Sequence, residues 1–265
     1  LGIADNTIVV YSTDNGPHYD QWPDAAITPF RGEKNTNWEG GFRVPAMVRW
    51  PGNIAPGQIS NNVMSHLDWV PTLMAAAGEP GIADKLKAGH RAGSKSFKVH
   101  LDGYAFLPYL TGETETTPRR EFFYFSDDGV LTAARIGDWK TVFAEQRAKR
   151  FDVWRDPFVT LRIPQVFHLR RDPFERADTD SNSYIVWWDL KIAPAAGMAR
   201  IAVSQFVQSL QAYPPRQRPG TFTVDQIMES LYQPKGEKGG ALALRSGSRG
   251  VEAKYESGFF RRLIQ

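Results

Sequence analysis

The sequence predicts an α/β part followed by a smaller α+β part with an antiparallel sheet and a long helix. Three patterns support this fold class: a β-branched apolar run near the start, a capped helix further along, and alternating segments from Arg119 onwards. We therefore expect an α/β part over residues 1–118, an α+β part over 119–234 and a flexible basic Gly/Ser/Arg tail over 235–265.

The first strand is predicted over Thr7–Ser12. Its residues are mostly apolar and β-branched, a pattern typical of a strand buried on both faces of a parallel sheet. Phe42–Trp50 is predicted as a second strand, interrupted by Pro45. The chain opens on LGIADNTIVV, without a basic leader or an initiator Met, so we expect a preceding segment to supply neighbours for the first strand.

A helix is predicted over Ser65–Ala77, with Asp68 as its N-cap, Pro71 in its first turn and Gly78 as its stop. A short apolar helix is predicted over Phe106–Leu110, where Thr111-Gly112 ends it.

The later part of the chain changes to an alternating pattern that predicts antiparallel strands joined by tight turns. A long helix is predicted over Tyr184–Ala212, with Pro194 and Gly197 as kink sites, and a last short helix over Thr223–Tyr232. The predicted strands are Phe122–Ser126, Val130–Ile136, Trp139–Ala144 and Gln165–Leu169.

Composition excludes several classes of protein. The 265 residues contain no cysteine, which removes disulfide scaffolds, thiolate metal sites and cysteine nucleophiles. The net charge is +3, but residues 235–265 carry seven basic and three acidic side chains, so the remainder of the chain is close to neutral. The charge therefore gives no argument for a nucleic-acid partner, and no apolar run approaches the ~18–20 residues that span a bilayer.

Asp14 and Asn15 come directly after the first predicted strand, at the sheet edge where ligands bind in open α/β folds. A carboxylate beside an amide carbonyl offers two hard oxygen donors suited to Ca²⁺ or Mg²⁺. The same Asp-Asn-Gly text is also common turn chemistry, so spacing alone leaves both interpretations open.

A second segment, Phe30–Pro45, combines a lysine, paired glycines and the entry to a strand. Together with Thr13–Gly16 it resembles the second signature region of the sulfatase family, within the alkaline-phosphatase-like superfamily. The resemblance implies the C-terminal half of a sulfatase, with a partial sulfatase-type sheet and an arylsulfatase-like sulfuric ester hydrolase activity. Further segments fit the family in the same order: His66–Leu73, Asp102–Gly103, Leu107–Gly112, Arg135–Lys140 and Phe167–Glu175.

The resemblance also implies residue roles. Asp14 and Asn15 would be two ligands of a single divalent cation, Ca²⁺ or alternatively Mg²⁺, and Lys34 would bind a sulfate oxygen and stabilise the leaving group. His18 follows the metal pair and is a candidate catalytic residue, with a structural role as the alternative. The remaining expectations are that Trp22 and Trp38 stack on an aryl substrate or pack, that Glu39 and Arg43 are structural, and that His66, His90, His100 and His168 are structural or surface residues.

Sulfatases act through a formylglycine made from a Cys or Ser that begins a Cys/Ser-x-Pro-Ser-Arg-type motif. Formylglycine cannot arise from Cys in this chain, and no Ser begins such a motif; Ser246–Arg249 has the wrong spacing. The first Asp pair of the family's metal site and the additional His and Lys of its pocket are also missing. We therefore expect the chain alone to be impaired or inactive.

Other functions stay open beside this one. They are a phosphonate or phosphodiester hydrolase of the same superfamily, a catalytically silent binding or structural module, and a weak promiscuous esterase. We expect a small-molecule sulfate ester as partner if the site is complemented, and self-association through exposed sheet edges. No nucleic acid or membrane partner is expected, and the sequence indicates no compartment.

Overall fold

The computed structural model describes residues 1–21, 27–181, 183–184 and 193–214. These residues belong to the first of two compact units, Leu1–Arg216, and the second unit, Gln217–Gln265, lies outside them. The predicted helix Thr223–Tyr232 and the basic tail 235–265 therefore fall outside the described residues. The predicted division after residue 118 stays a prediction.

The first half of the described chain contains short helices and two small two-stranded antiparallel sheets. The sequence predicted the second strand and the helices near residues 65–77 and 106–110, but not the short helices and the hairpin between them. The elements are β1 (Val9–Ser12), α1 (Glu39–Phe42), β2 (Ala46–Arg49), α2 (Trp69–Ala76), α3 (Ile82–Ala88), β3 (His90–Ala92), β4 (Lys95–Phe97) and α4 (Leu107–Leu110).

The prediction that the first strand is buried in a parallel sheet is wrong for the described residues. β1 pairs with β2 alone, and the pairing is antiparallel, with Val9 opposite Arg49 and Ser12 opposite Ala46. Val9, Val10 and Tyr11 are 48%, 39% and 57% exposed. The strand forms where its β-branched residues predict it, but burial on both faces also needs neighbouring layers, and no described element provides them.

The start of α2 differs from the predicted cap. Ser65, not Asp68, caps the preceding 3₁₀ turn His66–Asp68, and its hydroxyl accepts a hydrogen bond from the Leu67 N–H. Asp68 completes the capping box by accepting from the Ser65 N–H at 2.8 Å. Its carboxylate is fully buried because Arg119 pairs with it at 2.6 Å. The sequence pattern therefore singled out Asp68 but predicted the wrong capping role for it.

The second half of the described chain forms a four-stranded antiparallel sheet in the order β5-β6-β7-β8, as the alternating pattern predicted. Its core combines Tyr124, Ala133, Val142, Phe167 and Leu169 with Trp38 from the first half of the chain. The strands are β5 (Glu121–Phe125), β6 (Leu131–Ile136), β7 (Trp139–Glu145) and β8 (Val159–His168), and a short helix, α5 (Ala177–Asp180), follows them.

The long helix α6 spans Ala193–Ala212 and packs on this sheet. Phe206 stacks on Phe123 with ring centroids 4.4 Å apart, and Ala199 and Val203 are buried. The helix continues through Gly197, and Pro194 lies in its first turn, where a proline is tolerated. We call β5–β8 with α5 and α6 the antiparallel layer. None of the described helices is long and apolar enough to cross a membrane.

Candidate functional site

The metal-pair loop, Thr13–Tyr19, follows β1 and carries two of the predicted site residues. The side chains of Asp14 and Asn15 make no hydrogen bond or ion pair with the described residues, and Asp14 is exposed. The loop is held by its backbone and by His66, whose Nε2 lies 2.9 Å from the Thr13 carbonyl oxygen. The two candidate oxygen ligands are therefore open to a ligand from solvent.

A glycine contact joins this loop to α1, directly after the lysine loop, Arg31–Glu39, and a second backbone hydrogen bond joins it to the lysine loop itself. The Gly16 N–H donates to the Gly41 carbonyl at 2.9 Å, and the Lys34 N–H donates to the Pro17 carbonyl at 2.8 Å. A Cβ atom at Gly16 would lie 1.8 Å from the Gly40 carbonyl oxygen. Only glycine fits here, so the spacing of glycines in the two loops reflects a close backbone contact.

His18 and Lys34 meet at a residue that sequence reasoning missed, Trp154. The indole N–H of Trp154 donates to His18 Nε2 at 2.9 Å, and the Lys34 ammonium lies 5.7 Å from the centre of the indole ring. Because Nε2 accepts this hydrogen bond, a neutral His18 carries its proton on Nδ1, which lies 3.8 Å from Asp20 Oδ2. The structure thus brings the two predicted catalytic residues together around one aromatic side chain.

The lysine loop is fixed to the antiparallel layer and its connecting loops by buried polar contacts. The Asn37 amide donates to the Ala144 carbonyl at 2.7 Å, and the Asn35 amide donates to the Val153 carbonyl at 2.6 Å. Glu33, 1% exposed, accepts from the Arg150 N–H with one oxygen and from the Tyr19 N–H with the other, both at 2.7 Å. The backbone that carries Lys34 is therefore positioned from both sides.

A buried ionic cluster of Lys140, Glu39 and Glu175 lies behind the lysine loop. The Lys140 ammonium, fully buried, is 2.7 Å from Glu175 and 3.2 Å from Glu39, and it donates to the Asn37 carbonyl at 2.7 Å. Tyr124 donates its hydroxyl to Glu39 at 2.7 Å. A buried ammonium needs such partners, since an unpaired charge in the interior is costly.

The two carboxyl groups of this cluster respond differently to sharing one lysine. Burial raises the pKa of Glu39, but Lys140 and hydrogen bonds from Arg43 and Tyr124 outweigh it and lower the pKa to about 2. Burial raises the pKa of Glu175, and the negative charge of Glu39 raises it further against the effect of Lys140. Glu39 is thus the firmly ionised partner, because it has more cationic neighbours.

The other residues that the sequence singled out have structural contacts. Trp38 is buried in the core, with its ring edge-on to Phe167. The Arg31 guanidinium carbon lies over the Trp38 ring, 3.6 Å from its centre, so this ring is not available to stack on a substrate. Glu39 and Arg43 form an ion pair at 2.7 Å. Trp22 lies outside the described residues.

A cavity of about 760 Å³ lies beside the lysine loop, on the side of Arg31 and Glu33. Arg147 and Lys149, from the connection between β7 and β8, also line it, whereas Asp14, His18 and Lys34 do not. The candidate residues therefore lie outside this cavity.

The metal prediction can be compared with the chemistry of these residues. Among the described residues, no group of three or more His, Asp or Glu side chains is arranged to hold an ion. Asp14 and Asn15 still fit a hard cation, since both offer oxygen atoms that no described residue uses. Ca²⁺ takes ~6–8 oxygen ligands, so this pair supplies part of a coordination shell.

Comparison with known proteins places the chain near one family. The sulfatase family model matches residues 1–79, a range that contains Asp14, Asn15, His18 and Lys34. Human arylsulfatase A is 33% identical over 187 residues, which are 66% of this chain and 34% of the human protein. The arylsulfatase of Hemicentrotus pulcherrimus is 36% identical over 154 residues, 57% of this chain and 24% of its own length. The chain spans about a quarter to a third of the length of these relatives.

A solved structure gives the same result for the fold. The PsFucS1 sulfatase from Pseudoalteromonas sp. superposes with a TM-score of 0.63 and 25% identity, over 82% of this chain and 40% of that one. The chain is therefore sulfatase-like in sequence, and its described residues have the fold of part of a sulfatase.

Proposed function

We propose that the metal-pair loop and the lysine loop form the cation-binding and sulfate-binding part of a sulfuric ester hydrolase site. One observation carries the proposal: the segment that matches the sulfatase family contains all four candidate residues, and the glycine contact holds their two loops side by side. The two loops offer complementary chemistry, oxygen donors on one and a cation on the other.

Lys34 is the anion-binding residue in this proposal. Its ammonium is half-buried and has no carboxylate partner among the described residues, so its donors are available to a sulfate oxygen. A compact ammonium charge suits an oxyanion, and a fixed positive charge is most effective where negative charge develops on an ester oxygen. The anchored backbone of the lysine loop fixes the position from which this side chain extends, and Trp154 lies beside its ammonium.

His18 is the proposed proton donor next to Lys34. With Nε2 occupied by the indole N–H, its Nδ1–H is the group that can donate to an ester or sulfate oxygen. Asp20 Oδ2 lies 3.8 Å from Nδ1, beyond hydrogen-bond distance, so this N–H is available to a ligand.

Asp14 and Asn15 are the proposed cation ligands. A bound Ca²⁺ or Mg²⁺ would supply Lewis-acid stabilisation of sulfate charge. The chain's own contribution is two unused oxygen donors on a loop fixed to the lysine loop through Gly16. We expect their affinity for the cation to be weak, because most of the coordination shell would be water.

We further propose that the chain by itself does not hydrolyse sulfate esters at the rate of a complete enzyme. The sequence has no cysteine and no serine in the required motif, so formylglycine chemistry has no residue to act on here. An assay of the purified chain on 4-nitrophenyl sulfate with Ca²⁺ tests this. Robust turnover that Lys34→Ala abolishes would contradict it.

The binding proposal is tested separately by titrating the chain with methyl sulfate in a calcium buffer, followed by NMR. We expect Lys34→Ala to weaken binding at least about tenfold, because a hydrogen bond to a charged group is lost. Lys95→Ala, an exposed lysine on β4, is the matched control and should bind as the parent chain does. Equal affinity in Lys34→Ala would contradict the proposed site, and tighter binding of methyl phosphate would favour a phosphonate or phosphodiester hydrolase.

A further inference from the structure

Trp154 is an exposed aromatic side chain on an anchored turn. It ends the 3₁₀ turn Arg150–Trp154 and is 46% exposed, whereas its neighbour Val153 is 1% exposed. The Val153 carbonyl accepts the Asn35 amide at 2.6 Å, and the Arg150 N–H donates to Glu33 at 2.7 Å. The turn that presents the indole is therefore fixed to the lysine loop by contacts that leave the ring itself accessible.

The indole also borders the charged groups of the proposed site. Its N–H is used by His18, and Lys34 lies 5.7 Å from its ring centre, within the range of a cation–π contact. A sulfate group that accepts a hydrogen bond from Lys34 would lie beside the indole of Trp154. A ring attached to that sulfate through its ester oxygen would then be close enough to stack on the indole. A cation next to a preorganised aromatic surface suits an anionic molecule that also carries a ring.

We propose that Trp154 is a substrate-binding residue that selects sulfate esters of ring-bearing alcohols by stacking on the ring. The proposal rests on the sulfate-binding function proposed for Lys34, and it assigns the ring contact to the antiparallel half of the chain. Two classes of alcohol can present an apolar ring face to the indole: an aromatic alcohol through its π face, and a sugar through the C–H bonds on one face of its ring. Stacking on a ring was one of two roles predicted for Trp22 and Trp38, and of these Trp38 is buried in the core.

The test compares three ligands in calcium buffer with the full chain: methyl sulfate, 4-nitrophenyl sulfate and a hexose 6-sulfate. Methyl sulfate has the same charged group without a ring. We expect Trp154→Ala to weaken binding of 4-nitrophenyl sulfate roughly two- to tenfold, the range of one aromatic pair, and to leave methyl sulfate unchanged. A parallel loss for the hexose sulfate extends the selected class to sugars, and no loss for it restricts the class to aryl esters; both support the proposal.

Two variants separate stacking from other effects. Trp154→Phe keeps a ring but removes the N–H to His18, so it should retain most of the preference for 4-nitrophenyl sulfate over methyl sulfate. Phe151→Ala removes an exposed aromatic of the same turn that contacts Arg155 rather than the site, and it should change neither affinity.

The remaining outcomes decide against the proposal or separate it from the proposed function. If Trp154→Ala weakens methyl sulfate and 4-nitrophenyl sulfate equally, Trp154 only supports Lys34 and His18, and the proposal is overturned. An unchanged ring preference overturns it as well, as does a Trp154→Ala effect on sedimentation with no effect on ligands, which would assign the indole to protein contact. If Lys34→Ala leaves both ligands unaffected while Trp154→Ala removes the ring preference, the sulfate-binding proposal fails and the ring contact stands.

Discussion

The two loops that carry the candidate residues are held in opposite ways. The lysine loop is fixed by buried amides and carboxylates that bond to the antiparallel layer and its connecting loops, with Glu33, Asn37 and Glu39 each about 1% exposed. The metal-pair loop follows an exposed strand, and the side chains of Asp14 and Asn15 contact no described polar group. The chain therefore fixes the loop that carries Lys34 before a ligand binds, whereas the side chains of Asp14 and Asn15 would be ordered only by a bound ligand.

The largest effect on the free energy of unfolding should come from removing the Lys140 ammonium, which lies behind the lysine loop. Lys140→Met leaves Glu39 and Glu175 buried without their shared cation, and breaking such a buried pair costs about 3–5 kcal/mol. Urea unfolding measures this, with Lys95→Met as an exposed control. A loss no larger than in the control would mean that the cluster does not hold the loop.

The same cluster makes the stability of the fold depend on pH. Because the pKa of Glu39 falls from 4.5 to about 2 on folding, its ionised form stabilises the fold above pH about 4.5, and this contribution is lost as pH falls toward 2. The raised pKa of Glu175 works in the opposite direction: its contribution is present at low pH and is lost as pH rises through the folded-state pKa.

Glu39→Gln should therefore flatten the acid side of the stability curve, measured as the free energy of unfolding between about pH 2 and pH 5. Glu115→Gln, at an exposed glutamate, is the matched control. A curve that keeps its acid slope in Glu39→Gln would assign that slope to other carboxylates.

Weakening the contact between the two loops should lower the free energy of unfolding by an intermediate amount. Gly16→Ala places a Cβ 1.8 Å from the Gly40 carbonyl oxygen, so the loops must separate, and overpacking of this kind costs about 1–3 kcal/mol. Gly81→Ala, where a Cβ meets nothing within 4 Å, controls for the glycine change itself. If both variants melt alike, the loops are not held by this contact.

The smallest effect on stability is expected on the metal-pair side. Asp14→Ala removes an exposed side chain without a described partner, so the free energy of unfolding should stay within about 0.5 kcal/mol of the parent chain. Thermal unfolding without added cation measures this. A clear loss would show that Asp14 has a structural role and would remove the contrast between the loops.

Sequence patterns predicted the regular elements better than the site. The alternation over β5–β7 and the helix-start pattern of α2 are local signals, and the structure contains all four elements. The burial of β1 could not be predicted, because it depends on what packs against the strand rather than on the strand itself. The first half of β8 was missed although its apolar and polar residues alternate, because Pro164 interrupts the run and a proline fits a paired strand poorly.

The contacts around the site could not be predicted from local sequence patterns, because they join residues that are far apart in the sequence. Trp154 reaches His18 across 136 positions of sequence and lies in a turn without periodicity. Lys140 was missed because a lysine in an alternating strand is expected to face solvent, and only its pairing with Glu39 and Glu175 allows it to be buried. The roles of Asp14, Asn15, His18 and Lys34 stay predictions.

If the two loops act as one site, Asp14 and Asn15 bind a cation next to the anion on Lys34. Methyl sulfate affinity, measured with and without Ca²⁺ in the parent chain and in Asp14→Ala, tests it most directly, since coupled sites must change each other's affinity. We expect Ca²⁺ to tighten methyl sulfate binding in the parent chain and to have no such effect in Asp14→Ala. Equal affinity with and without Ca²⁺ in the parent chain, or the same enhancement in both chains, would contradict it.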